Sequence, residues 1–183
     1  MSAQIIHGPW AQQPDPPRMS MSQFRSHVHR HLSNITAFEG HLQEIDHILT
    51  HTSGPLRLPY SDHVSVTLAP LGLHLEAFRN FLEETSQLPL VLSALYCGFL
   101  SPIISLDDQV RLLTKLLEEL CLAYILRPQE TALLYRRVCV SSTTLAQRTK
   151  QLPTTMNTLL DQASFYDAQL TAIAQGRYTP IWL

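Results

Sequence analysis

The chain has 183 residues, enough for one domain with a buried core. Apolar residues make up 45% of it and charged residues 15%, well below the roughly 25% of an average soluble domain. A formal net charge of −2 argues against a dedicated nucleic-acid binder, which needs a basic face to neutralise phosphates. Low charge on ordinary hydrophobicity instead points to surface covered by a partner, a second subunit or a membrane.

Residues 1–18 carry "GPWAQQPDPPR", and prolines at 9, 14, 16 and 17 predict an extended arm with Trp10 as its large anchor. The first ten residues show neither the basic region nor the apolar run of a secretory leader. Helical periodicity starts near Met21 and runs to about Thr52, followed by a loop, "TSGPLRLPY". Ser61 is placed to cap a helix over 62–86, bent at Pro70. After the uncharged stretch 88–106, Ser105 with Asp108 three residues on predicts the N-terminus of a helix reaching Leu126. Pro128 suits the first turn of a helix to about Gln151, and Thr154 or Thr155 a cap for a last helix stopping at Gly176.

No stretch alternates strictly and no Asn-Gly or Asp-Gly hairpin signal is present. The expected fold is therefore all-α: a single-domain antiparallel bundle of five or six helices over 19–176, with the arm 1–18 before it and a tail 177–183 after it. The helix at 106–126 is expected to lie centrally. Leu106, Val110, Leu113, Leu117, Leu120 and Tyr124 share one face, and Leu112, Leu116, Cys121, Leu122 and Ile125 widen it, which implies burial on more than one side.

Several short patterns invite functional readings. Nineteen uncharged residues at 88–106 are long enough for a membrane span, but Pro89, Pro102, Gly98 and three serines favour a buried core helix. "ISLDDQVRLL", 104–113, locally resembles the signature of nuclear receptor ligand-binding domains, with Glu119 and Leu120 extending the likeness. Ser101 stands where that signature has an aromatic residue, and Leu117 where many members have tryptophan. The likeness is read as helix-capping chemistry, and no ligand is carried over from it. "LTKLL", 113–117, has the spacing of groove-docking helices, yet its leucines are needed by the core. Arg136 and Arg137 are read as a solvated face. Cys97, Cys121 and Cys139 have no close pairing and no adjacent bases, which predicts free thiols in a reducing compartment, cytoplasm or nucleus.

All nine histidines precede residue 75, and "HVHRHL", 27–32, sets three on alternate positions. On one helix from 21 to 52, Phe24, Val28, Ile35, Phe38, Leu42, Ile45 and Leu49 form an apolar stripe. His31 falls inside it, His27 at its edge, and His29, Glu44, His47 and His51 on the far side. Gly40 is the expected weak point of this helix. "EIDH", 44–47, has the Glu-x-x-His spacing of di-iron bundles, and His51 lies one turn on, so Glu44, His47 and His51 are the candidate metal ligands.

No phosphate loop, nucleophile elbow or His-Glu-x-x-His motif is present in the sequence. The expected function is a non-enzymatic, self-associating helical module that binds proteins as adaptor, scaffold or assembly factor and needs no cofactor. Trp10, Tyr178, Ile181, Trp182 and Leu183 are its expected partner-binding residues. The alternatives are a metal- or haem-binding bundle using the first helix, and a membrane-active bundle using 88–106.

Overall fold

The computed structural model describes residues 19–51, 58–84 and 90–177. Every element among them is helical: α1 Met21–Thr36, α2 Glu39–His51, α3 Leu58–Glu83, α4 Leu90–Leu126 and α5 Thr131–Ala174, with a 3₁₀ turn Pro128–Glu130 joining the last two. The all-α expectation holds. The arm 1–18, the residues 178–183 of the tail, and with them Trp10, Tyr178, Ile181, Trp182 and Leu183, lie outside the described residues.

Ser20 opens α1 with a complete capping box. Its hydroxyl accepts from the Gln23 N–H at 3.2 Å, and the Gln23 side chain accepts from the Ser20 N–H at 2.8 Å. The first break falls at Ala37–Phe38 and not at Gly40. There the Phe38 N–H bonds the Ile35 carbonyl at 3.1 Å, a tightened i to i+3 turn, before the Leu42 N–H returns to the Phe38 carbonyl at 2.9 Å. The apolar phase survives it: Phe24, Val28, Leu32 and Ile35 in α1 and Leu42, Ile45 and Leu49 in α2 are all buried.

Cross-helix contacts give the topology. Arg25 meets Asp161, Asp46 meets Thr143, and Leu49 meets Tyr135 and Cys139, so α1 and α2 act as one rod antiparallel to α5. His31 lies on Phe78 and His27 on Phe81, Arg79 pairs with Asp107, and Gln109 bonds Ser141. Consecutive rods are thus antiparallel throughout, and the fifth helix closes back on the first. The result is an up-down-up-down bundle of four rods around one core, in which Phe24 of α1 packs edge-on against Phe99 of α4 at 5.4 Å.

Five helices form but pack as four rods, and the boundaries expected at Ser105 and at Thr154 or Thr155 are absent. Ser105 does not start a helix; α4 runs through Pro102 and past it for 37 residues in all. Thr154 and Thr155 do not cap one either. Helix α5 continues through Pro153 for 44 residues, about 66 Å at 1.5 Å per residue. An interior proline costs a helix about 3 kcal/mol. Beyond Pro153, Met156 and Leu160 are buried against the bundle, and at about 1.5–3 kcal/mol each they outweigh that cost together. The expected stop at Gly176 is found. With φ at 66°, Gly176 donates to the Ile173 carbonyl and Arg177 to the Ala172 carbonyl, both at 2.9 Å, the paired bonds of a Schellman motif.

Candidate interaction surface

The candidate metal ligands share α2 but do not converge. Glu44, His47 and His51 are exposed; the two imidazoles stack with centroids 4.3 Å apart, and the His51 Nδ1 lies 3.0 Å from the His47 carbonyl oxygen. Among the described residues no three His, Cys, Asp or Glu side chains are gathered to hold a metal ion. Asp46, the remaining acid of "EIDH", faces α5 and accepts from the Thr143 hydroxyl at 2.7 Å.

The alternating histidines separate as the helical phase predicts. His29 is exposed, His27 half-buried on Phe81 at 5.2 Å, and His31 half-buried between Phe78 at 4.8 Å and Phe81 at 5.3 Å. The intruding imidazole is accommodated by aromatic stacking rather than by a buried polar partner, a contact that needed the position of α3 to become visible. Burial holds the His31 pKa below its ordinary 6.5, and the nearby His27, Arg30 and His74 push it the same way.

The thiols are free. Cys139 donates to the Leu49 carbonyl at 3.2 Å, alongside the Tyr135 hydroxyl at 2.5 Å, so two side chains of α5 satisfy a carbonyl in the last turn of α2. Burial raises the pKa of Cys139, the reverse of what activates a nucleophilic thiol. In "LTKLL", Leu113, Leu116 and Leu117 are buried, as the core reading required. Asp107 of the Leu-Asp-Asp-Gln run is buried and bridges helices rather than capping one, meeting Arg111 at 2.9 Å and Arg79 at 3.6 Å. From Leu90 on, the uncharged stretch forms the first half of α4, burying Leu92, Phe99, Ile103 and Leu106. Among the described residues no helix is long and apolar enough to cross a membrane.

The expectation that α4 is buried on several sides is corrected. Leu106, Val110, Leu113, Leu117 and Leu120 of its core face are buried as expected and Leu116 with them, but Tyr124 is half-buried, and Leu112, Leu122 and Ile125 stand exposed, Ile125 by 80%. On α5, Leu133 and Val140 are 67% and 62% exposed. Leu112, Leu116, Leu133 and Val140 line an open groove of about 430 Å³ between the two helices, flanked by Arg136 and Arg137. The groove was missed from sequence although its signal is present. Leu133 and Val140 repeat at i, i+7, about 140° of helix rotation away from the buried Val138 and Leu145.

Geometrically, then, the molecule is an antiparallel helical bundle with an apolar furrow along its α4–α5 hairpin. Comparisons with protein-family models, curated proteins and solved structures find no match to the chain.

Proposed function

We propose that the protein is a non-enzymatic helical interaction module, an adaptor, scaffold or assembly factor, that binds other protein chains through the α4–α5 face. The observation supporting this most is the apolar groove between the two helices, lined by exposed Leu112, Leu133 and Val140. Singly exposed apolar residues are ordinary, but a contiguous row of them is the signature of surface that another protein covers. The low charged fraction of 15% agrees with it. Trp10, Tyr178, Ile181, Trp182 and Leu183 belong to the same reading as anchors on the two chain ends. The three free thiols suit a reducing compartment, cytoplasm or nucleus.

The test compares the chain with a variant carrying Leu133→Asp and Val140→Asp, each used to recover partners from the native source, with His29→Asp on the opposite face as control. The reading expects a defined set of partner proteins, lost from the double variant and kept by the control. Recovery of the same set by all three proteins would sink it.

A further inference from the structure

From Thr131 to Leu160, α5 carries Arg136, Arg137, Arg148 and Lys150 and no Asp or Glu. All four cations are exposed, and none has an ion pair among the described residues. Arg136 and Arg137 line the apolar groove beside Leu112, Leu116, Leu133 and Val140, and among the described residues no carboxylate lines it. Arg148 lies one turn beyond Thr144, the last lining residue of α5. It bonds the Ser105 hydroxyl and, at 3.3 Å, the Ser105 carbonyl, so its charge is held at the α4–α5 seam without being neutralised. On the α4 side Glu119 is engaged by Lys115 at 3.9 Å, and Asp108 is exposed without an ion pair among the described residues. The groove therefore has an apolar floor and one strongly positive wall, α5.

We infer that the groove docks an acidic amphipathic helix of a partner protein, its apolar side chains on the groove floor and its carboxylates against α5. The inference rests on the interaction-module reading and names the partner's chemistry. A helix is the form that fits. Both walls are helices, and among the described residues no strand offers an edge for an extended peptide to pair with. An extended peptide would press unbonded N–H and C=O groups onto Leu112, Leu133 and Val140, whereas a helix satisfies its own. From Leu133 to Thr144 the α5 wall rises about 16 Å at 1.5 Å per residue, room for about three turns. Apolar side chains at i, i+3, i+4 and i+7 of the partner fit within that length on one face. The charges select an acidic flank. Arg136 and Arg137 can take carboxylates through charge-assisted, bidentate hydrogen bonds, whereas a basic helix sets like charge on like at the same edge. Asp108 on the α4 side repels carboxylates there, which fixes the edge of the partner helix that carries them.

The experiment titrates the full chain into two labelled peptides and reads fluorescence anisotropy. Each peptide has about three turns, leucines at i, i+3, i+4 and i+7, and a hydrocarbon staple on its far face that keeps it helical. One carries glutamate along the flank and the other lysine. Two variants of the chain are compared with the wild type, Arg136→Glu with Arg137→Glu, and Leu133→Asp with Val140→Asp. All four positions are exposed, and far-ultraviolet circular dichroism with thermal melting checks that each variant keeps its helices. The wild type is expected to bind the glutamate peptide tighter than the lysine peptide by about tenfold or more, a factor of ten being about 1.4 kcal/mol. Reversal of the two arginines is expected to reverse that preference, and the Leu133→Asp, Val140→Asp variant to bind the glutamate peptide at least about tenfold more weakly. Equal affinity for the two peptides, a preference unchanged by the arginine reversal, or binding unchanged in the Leu133→Asp, Val140→Asp variant each overturns the inference. So does a chain that co-sediments with phosphatidylserine vesicles and ignores the glutamate peptide, which assigns the positive wall to a lipid surface. A chain that binds neither peptide but still loses its native-source partners with Leu133→Asp and Val140→Asp rejects the acidic helix while leaving the interaction-module reading standing.

Discussion

His31 offers the most discriminating perturbation, because one side chain carries both a packing contribution and a titration. Its ring lies parallel to Phe78, 3° from coplanar at 4.8 Å, and stacks on Phe81 at 5.3 Å. With about 0.5–1.5 kcal/mol for each ring contact, His31→Ala removes about 1–3 kcal/mol at pH 8, where the imidazole is neutral in both states. On a urea dependence of about 2 kcal/mol per M, a loss of 2 kcal/mol lowers the unfolding midpoint by about 1 M. Followed by helical circular dichroism, the midpoint should shift with little change in slope.

The pH dependence has a definite sign. Burial, His27, Arg30 and His74 lower the folded-state pKa of His31, so below 6.5 the unfolded chain takes up the proton more readily than the folded one. The stability associated with the neutral ring is complete above pH 6.5 and is lost as pH falls from there through the lowered folded value. His31→Phe keeps an aromatic ring between Phe78 and Phe81 but cannot titrate, so it should lose less stability between pH 8 and pH 5.5 than the wild type. Attraction between an imidazolium and the two phenyl faces acts in the opposite direction. A wild type that gains stability relative to His31→Phe on acidification would show that this attraction wins and refute the reasoning. So would a loss under about 0.5 kcal/mol for His31→Ala at pH 8.

Three further substitutions probe the fold. Phe24→Ala removes a fully buried ring held between Phe81 at 5.6 Å and Phe99 at 5.4 Å, and denaturant titration should show a loss of about 3–5 kcal/mol. Ser20→Ala breaks the capping box of α1 and should cost about 1 kcal/mol by the same measurement, whereas no change would mean that the helix start is held by packing alone. Gly40→Ala places a methyl group where no atom lies within 4 Å, so reduced freedom of the unfolded chain should raise stability by about 0.4–1 kcal/mol. Destabilisation there would mean that the turn at Ala37–Phe38 depends on the glycine beside it.

Periodicity made the long apolar stripe of α1 and α2 readable, since the residues it selects from Phe24 to Leu49 are buried, apart from half-buried Phe38. The same reasoning separated His31 from exposed His29, and it placed the LTKLL leucines in the core. It misjudged α4, because a broad apolar face has two explanations that look alike in one dimension: a helix surrounded by its own chain, or a helix with one side left over. Leu122 and Ile125 belong to the second. Glu44, His47 and His51 had suitable spacing, but a third ligand must come from another helix, and spacing along one helix carries no information about that.

Local patterning alone settled the helical class, the start near Met21 and the Gly176 stop, because periodicity and an αL glycine act within a few residues. Tertiary structure decided the rest. Pro102 and Pro153 lie inside helices because burial of the residues beyond them exceeds the local cost of a missing hydrogen bond. Asp107 became a bridge to Arg79 rather than a cap, and His31 found two phenyl rings instead of a polar partner. Which apolar side of α4 and α5 stays open was decided there too. A sequence fixes the phase of each helix face, whereas only the packing of four rods determines which phases meet one another and which meet water.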